Sequence, residues 1–213
     1  MVKAFFEVWT RGYAKDKLNE LSQGATEKCH PHVTILRPGV VKTSLDDLQE
    51  RVVDALEGLG PLPFTFEGSG VFDDKFYHVP VKNADGLLAL SSILEGAVKG
   101  CMKLEDKPEE ETHLHASVIP PKPDFICPTI NQYALWVTAL AKGHIPPGNA
   151  EAHKSYVIAF SYNLVTGQVL TRSQSKSKLQ WLNTVHDFST KYDIMPTRNG
   201  YVRLSNPFCS RKI

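Results

Sequence analysis

No stretch of the 213-residue sequence approaches the ~20 consecutive apolar residues that a membrane-crossing helix needs, so no membrane role is expected. The start of the chain also lacks the apolar run of a secretory leader, since Met1-Val2-Lys3-Ala4-Phe5-Phe6-Glu7 already contains an acid at Glu7. Neither sign of charge is in excess, with 24 Lys and Arg facing 23 Asp and Glu. That balance argues against a protein that coats long nucleic acid, which requires a basic face to displace counterions. It still permits a small nucleotide or short RNA substrate, which needs only a few local cations. Cysteine is scarce: Cys29, Cys101, Cys127 and Cys209 show neither C-x-x-C spacing nor a metal-ligand cadence. Reduced thiols and a cytoplasmic location are the expectation. No repeat with a period of about 20 to 50 residues is visible.

What is present suits one domain of generous size, with 42% apolar residues and strands alternating with medium helices. Ala4 to Thr10 reads as a strand, Tyr13 to Gln23 as a weak helix stopped by Gly24, and His32 to Leu36 as a strand ended by Pro38-Gly39. Ser44 followed by Asp47 is a capping-box-like start, and Leu48, Val52 and Leu56 behind it define one apolar helical face. Phe64 to Phe66 and Phe76 to Val81 read as strands. Leu87, Leu90, Leu94 and Val98 mark a second amphipathic helix over Asp85 to Lys99. His113 to Ile119 is a further strand, and Thr129 to Lys142, with Ile130, Ala134, Val137 and Leu140, reads as a helix. Ser155 to Tyr162 and Gln168 to Ser173 form a hairpin turning at Thr166-Gly167. A final helix is expected from Ser177 to Tyr192, followed by a tail without regular structure.

The chemistry concentrates in one duplicated pattern. His32-Val33-Thr34-Ile35 and His115-Ala116-Ser117-Val118 share the order His, apolar, Ser or Thr, apolar, with the two histidines 83 positions apart. Residues i and i+2 of a strand point to the same face, so each segment presents an imidazole beside a hydroxyl. Two such strands across a groove supply what phosphodiester cleavage needs without a metal. One imidazole takes a proton from the attacking oxygen and the other gives one to the leaving oxygen. Histidine suits both roles because its unperturbed pKa is ~6.5. The hydroxyls donate to non-bridging oxygens as charge develops there.

These motifs, their spacing and their strand-helix-strand setting resemble the 2H phosphoesterase superfamily (LigT-like, also called the 2′-5′ RNA ligase or cyclic phosphodiesterase family). The resemblance spans Val2 to Ser173, including the segment Phe64 to Phe72 and the hairpin over Val157 to Ser173. It implies an α+β, bilobal fold of two pseudo-symmetric antiparallel sheets with flanking helices and a central groove. It further implies that His32 and His115 are the acid-base pair, that Thr34 and Ser117 hold phosphate, and that no metal or organic cofactor is used. Family substrates include 2′,3′-cyclic phosphates, 2′-5′ oligoadenylates, oligouridine tails and cyclic dinucleotides. Many members carry a basic residue at the fifth position after the second motif's histidine. Here that position is Pro120 and the nearest cation is Lys122, while the first motif has Arg37 at the same offset. Arg37 and Lys122 are therefore the candidate substrate-binding cations. The whole chain, 1–213, is expected to be a single monomeric unit, with a possible insertion at 125–154 that could cover the groove and a helix plus tail at 177–213.

Other meanings of these residues lead to other functions. His30 and His113 turn each motif into H-x-H, and four imidazoles could bind a metal, though no well-placed carboxylate accompanies them. Trp9, Tyr13, Phe76 and Tyr77 are candidates for stacking on a base, and the Trp181, Val185, Phe188 and Tyr192 stripe reads as core. The leading expectation is a phosphodiesterase acting on a 2′-linked or 2′,3′-cyclic phosphodiester in RNA ends or small nucleotides. The alternatives are degradation of a nucleotide immune messenger, and a nucleotide- or RNA-binding protein without turnover.

Overall fold

A computed structural model describes residues 1–10, 12–22, 31–72, 76–106, 113–118, 126–142, 156–171, 194–197 and 200–203. In chain order these form β1 (Lys3–Trp9), α1 (Gly12–Leu21), β2 (His32–Val41), α2 (Leu45–Leu56), β3 (Leu62–Gly68), β4 (Gly70–Phe72), β5 (Phe76–Lys82) and α3 (Asp85–Val98). Then follow β6 (Met102–Leu104), β7 (His115–Ser117), β8 (Cys127–Ala134), β9 (Trp136–Lys142), β10 (Val157–Asn163), β11 (Val169–Thr171), β12 (Ile194–Thr197) and β13 (Gly200–Arg203).

Local chemistry sets the helices. The Ser44 Oγ accepts from the Asp47 N–H at 3.0 Å, and the Asp47 carboxylate accepts from the Ser44 N–H at 3.2 Å, closing a capping box on α2. The same helix buries Leu48, Val52 and Leu56, and α3 buries Leu87, Leu90, Leu94 and Val98. The chain leaves α2 through Gly58, whose φ of +82° lies in the left-handed region that glycine tolerates. Helices α2 and α3 pack on each other, and α3 lies against β2 and β3. The shared core contains Val33, Ile35, Phe64, Phe66, Val79 and Ala116.

The main sheet has eleven strands in the order β11-β10-β9-β1-β2-β7-β5-β3-β8, with β4 added to β5 and β6 added to β2. Its strand pairings are antiparallel. The order places the two motif strands, β2 and β7, side by side, joined through Val33 and Ala116. One set of strands (β11, β10, β9, β1, β2) lies to one side of that seam and another (β7, β5, β3, β8) to the other.

Several sequence expectations are corrected. Thr129 to Lys142 is not a helix but most of β8 and all of β9, and β9 lies between β1 and β10. Strand β2 does not end at Pro38-Gly39 but runs on to Val41. A register shift in the β1–β2 ladder between Ala4 and Phe6 leaves one extra residue of β2 there, which accommodates a proline that cannot donate to a ladder. Gly39 is then required for a different reason: a Cβ on it would stand 2.7 Å from the Lys103 carbonyl oxygen of β6. The strand expected over His113 to Ile119 is confined to His115–Ser117 among the described residues. The tail expected to be irregular contains the paired strands β12 and β13. The expected helix from Ser177 to Tyr192 lies outside the described residues.

Candidate active site

Alternation along β2 and β7 divides each motif between two faces. Val33, Ile35 and Ala116 are buried, while His32, Thr34 and His115 are partly exposed and Ser117 is exposed. Antiparallel pairing about Val33 and Ala116 sets Thr34 alongside His115 and His32 alongside Ser117. The four motif residues thus form one block on one face. Neighbouring strands extend it on both sides. On β5, His78 pairs with Ser117 and Pro80 with His115; on β1, Trp9 pairs with His32 and Glu7 with Thr34.

Beyond β7 the surroundings are imidazole. His78, only 3% exposed, has its Nε2 3.1 Å from the Nε2 of His113, so one of the two nitrogens donates and the other accepts. The ring centroids of His78 and His115 are 5.1 Å apart. The His115 Nδ1 lies 3.3 Å from the carbonyl oxygen of His113. A carbonyl only accepts, so Nδ1 carries the hydrogen, and the lone pair of neutral His115 is on Nε2. Gly70 makes room for this group, for a Cβ there would meet the His78 ring.

Beyond β2 the surroundings are a buried carboxylate. Glu7 Oε2 lies 3.4 Å from His32 Nε2, and the Trp9 indole N–H donates to Glu7 Oε1. Thr138 of β9 pairs with Glu7 on its other side and accepts a 2.8 Å hydrogen bond from the Ser161 hydroxyl. Trp9 also packs with Leu135, Trp136 and Ile158 in a second apolar cluster, which makes it a wall of the site's floor.

The other expected site residues fare differently. The guanidinium of Arg37 is held by Glu95 of α3 at 2.8 Å and by the carbonyl oxygen of Glu105 at 2.7 Å, so the structure does not bring it to the two histidines. Lys122 and His30 lie outside the described residues, as does the Trp181 to Tyr192 stripe. Tyr13 is 55% exposed on α1, and Tyr77 is half-buried. Among the described residues, no three His, Cys, Asp or Glu side chains are arranged to hold a metal ion. Sequence reasoning missed Glu7 and His78 as members of the site. Glu7 had a visible signal, a charge between Phe6 and Val8 in an otherwise apolar strand.

A family model described as the 2′-5′ RNA ligase superfamily matches residues 6–125, a span that contains both motifs, Glu7 and His78. No curated protein matches the chain. Among solved structures, TT0787 of Thermus thermophilus is 16% identical with a TM-score of 0.54, covering 76% of this chain and 97% of its own. A protein described as a phosphoesterase is 12% identical with a TM-score of 0.49, covering 77% of this chain and 98% of its own. Escherichia coli LigT complexed with 3′-AMP is 11% identical with a TM-score of 0.45, covering 78% of this chain and 99% of its own. At that identity the likeness to the Thermus protein is one of fold.

Proposed function

The chain belongs to the 2′-5′ RNA ligase superfamily, and from that premise we propose that it is a metal-independent phosphodiesterase acting on a 2′-linked or 2′,3′-cyclic phosphodiester of an RNA end or small nucleotide. The observation that carries this reading is the juxtaposition of the two H-x-[ST] strands about Val33 and Ala116, which puts two imidazoles and two hydroxyls on one face. In hydrolysis, one imidazole in its neutral form takes a proton from water while the water oxygen bonds to phosphorus. As the bond from phosphorus to the ribose oxygen breaks, the other imidazole, as imidazolium, gives its proton to that leaving oxygen. The proton count balances, with one imidazole gaining what the other loses. Thr34 and Ser117 donate hydrogen bonds to the non-bridging oxygens, where negative charge builds in the transition state. A near-even charge balance favours short substrates over long RNA.

The test is a substrate panel of 2′,3′-cyclic nucleotides, 2′-5′ and 3′-5′ oligoadenylates and cyclic dinucleotides, with and without EDTA. Turnover of cyclic or 2′-linked substrates that survives chelation is the expected result. Turnover confined to 2′-5′ oligoadenylates or cyclic dinucleotides would narrow the function to destroying a nucleotide messenger. Binding without turnover would replace the enzyme by a nucleotide-binding protein. Activity lost in EDTA and restored by Zn²⁺ would overturn metal independence.

A further inference from the structure

His78 is an imidazole with very little room to move. It is 3% exposed on β5, paired with Gly70 of β4 on one side and with Ser117 of β7 on the other. A Cβ on Gly70 would stand 2.3 Å from its Nε2, so the ring fits only because that position is glycine. The same Nε2 lies 3.1 Å from the Nε2 of His113, which is exposed and stands two residues before the first residue of β7. The carbonyl oxygen of His113 accepts from Nδ1 of His115 at 3.3 Å. The two hydrogen bonds run in series, from a buried ring to a motif histidine. We propose that His78 and His113 are a positioning pair for His115: the buried imidazole holds the His113 side chain, and the His113 carbonyl so placed sets the orientation and tautomer of the His115 ring. This rests on the phosphodiesterase reading above.

Backbone pairing explains why a side chain is needed at this point. The Leu114 carbonyl oxygen accepts from the Val81 N–H at 2.9 Å, and the Val118 N–H donates to the Tyr77 carbonyl oxygen at 2.9 Å. The contacts between β5 and β7 therefore bracket residues 114 to 118, and His113 lies one residue outside the bracket. With two soft dihedral angles per residue, an anchor at Leu114 alone leaves the direction of the His113 carbonyl open. The His78 contact supplies the second anchor. It forms when one ring donates its Nε2–H and the other accepts on its Nε2, so one proton between the two nitrogens is enough. The carbonyl at the end of the series only accepts, so the His115 nitrogen that faces it keeps its hydrogen whether the ring is neutral or charged. His78 also stands beside His115, with ring centroids 5.1 Å apart, and limits how far that ring can turn.

His78→Leu keeps the bulk and removes the hydrogen bond, whereas His78→Gln places an amide near the position of Nε2 and restores a partner for His113. On the best substrate of the panel, His78→Leu should lower kcat about 10-fold with KM level, a fraction of the ~10²-fold that a full ångström of misplacement costs. His78→Gln should recover most of that loss. His113→Leu should match His78→Leu, and the double variant should be no worse than either, because the pair acts through one contact. At a pH where the ring is neutral, imidazole ¹⁵N resonances should show His115 protonated on Nδ1 in the unmodified protein and in His78→Gln, and as a tautomer mixture in His78→Leu. A merely structural role would lower the Tm without moving the His115 tautomer. Unchanged kcat and tautomer in His78→Leu would overturn the proposal. So would a raised KM with kcat level, which would make the pair a substrate contact. If the unmodified protein cleaves nothing in the panel, the phosphodiesterase reading fails, and the His115 resonances alone decide whether the pair sets the ring. Should His78→Leu fail to fold, His113→Leu and His113→Gln, at an exposed position, are read in the same assays, and no difference between them in kcat or tautomer would equally overturn it.

Discussion

Replacing Gly70 with alanine tests how tightly the imidazole cluster is built. Gly70 lies opposite His78 in the β4–β5 pair, and a Cβ added to it would stand 2.3 Å from His78 Nε2 and 2.5 Å from Cε1. Its φ is outside the left-handed region, so alanine brings no backbone strain and the collision alone is measured. The imidazole is the end of a movable side chain, but the residue is 3% exposed and has little room to swing. The atom that collides is also the one 3.1 Å from His113 Nε2. Displacing it forfeits that hydrogen bond, worth about 1 kcal/mol, and forces the ring off its rotamer for about another 1 kcal/mol. The sum, about 2 kcal/mol, corresponds to a Tm lower by about 4–8 °C in a chain of this size. Thermal unfolding of Gly70→Ala checks it. Gly96→Ala is the control, because a Cβ there meets nothing within 4 Å and α3 should gain up to about 1 kcal/mol. In a His78→Ala background the same glycine change should cost much less, since the two effects share one contact. A Gly70→Ala protein as stable as the unmodified one, with His78 resonances unmoved, would refute the reasoning.

Two further outcomes are expected. His32→Ala and His115→Ala should each lower turnover by on the order of 10² to 10⁴, and the double variant far less than multiplicatively, as kinetics on the best panel substrate would show; equal damage from His113→Ala would shift the assignment. Burial pushes the Cys127 thiol from 9.0 up to about 11, with Lys17 opposing only in part. The folded thiol therefore keeps its proton where the unfolded one loses it, so it adds no pH dependence below pH 9 and costs stability as pH rises from there through about 11. An alkylating reagent at about pH 8 should leave Cys127 unmodified until the protein is unfolded, because the thiolate is the reactive form; ready labelling of the folded protein, read by peptide mass, would contradict this.

What could be read from the sequence was local. The capping box of α2 spans four residues, the apolar stripe of α3 repeats within single turns, and the imidazole-hydroxyl pairs lie two positions apart. What could not be read depends on partners far along the chain. Ile130, Ala134, Val137 and Leu140 match a helical period, yet every residue from Trp136 to Ala141 is buried because both faces of β9 are covered, Val137, Ala139 and Ala141 lying in the main core and Trp136 in the second apolar cluster. A strand covered on both faces loses the alternation that identifies strands, and the 3.6-residue period then fits by accident. The same reason hid half of the site. The H-x-[ST] pattern showed which side chains share a face, but not that β5 and β1 would set His78 and Glu7 beside them, since register between strands is a tertiary property. Arg37 shows the same limit: its offset along the chain was legible, but the glutamate of α3 that pairs with it was not.

The central position of β1 has a consequence for how the chain is made. Its two ladders join residues 3–9 to β2 on one edge and to β9, residues 136–142, on the other. During synthesis β1 waits, one edge unsatisfied, until well over a hundred further residues have left the ribosome. Strand β3 waits likewise for β8. A chain stopped at 125, where the matched family region ends, would leave both strands with bare backbone edges and would strip Phe6, Phe64 and Phe66 of neighbours. Such a fragment is a template for pairing with other chains rather than a working half. The recognisable region and the region that folds are therefore not the same length, and any piece of this protein meant to be handled alone has to carry its sheet through at least β10.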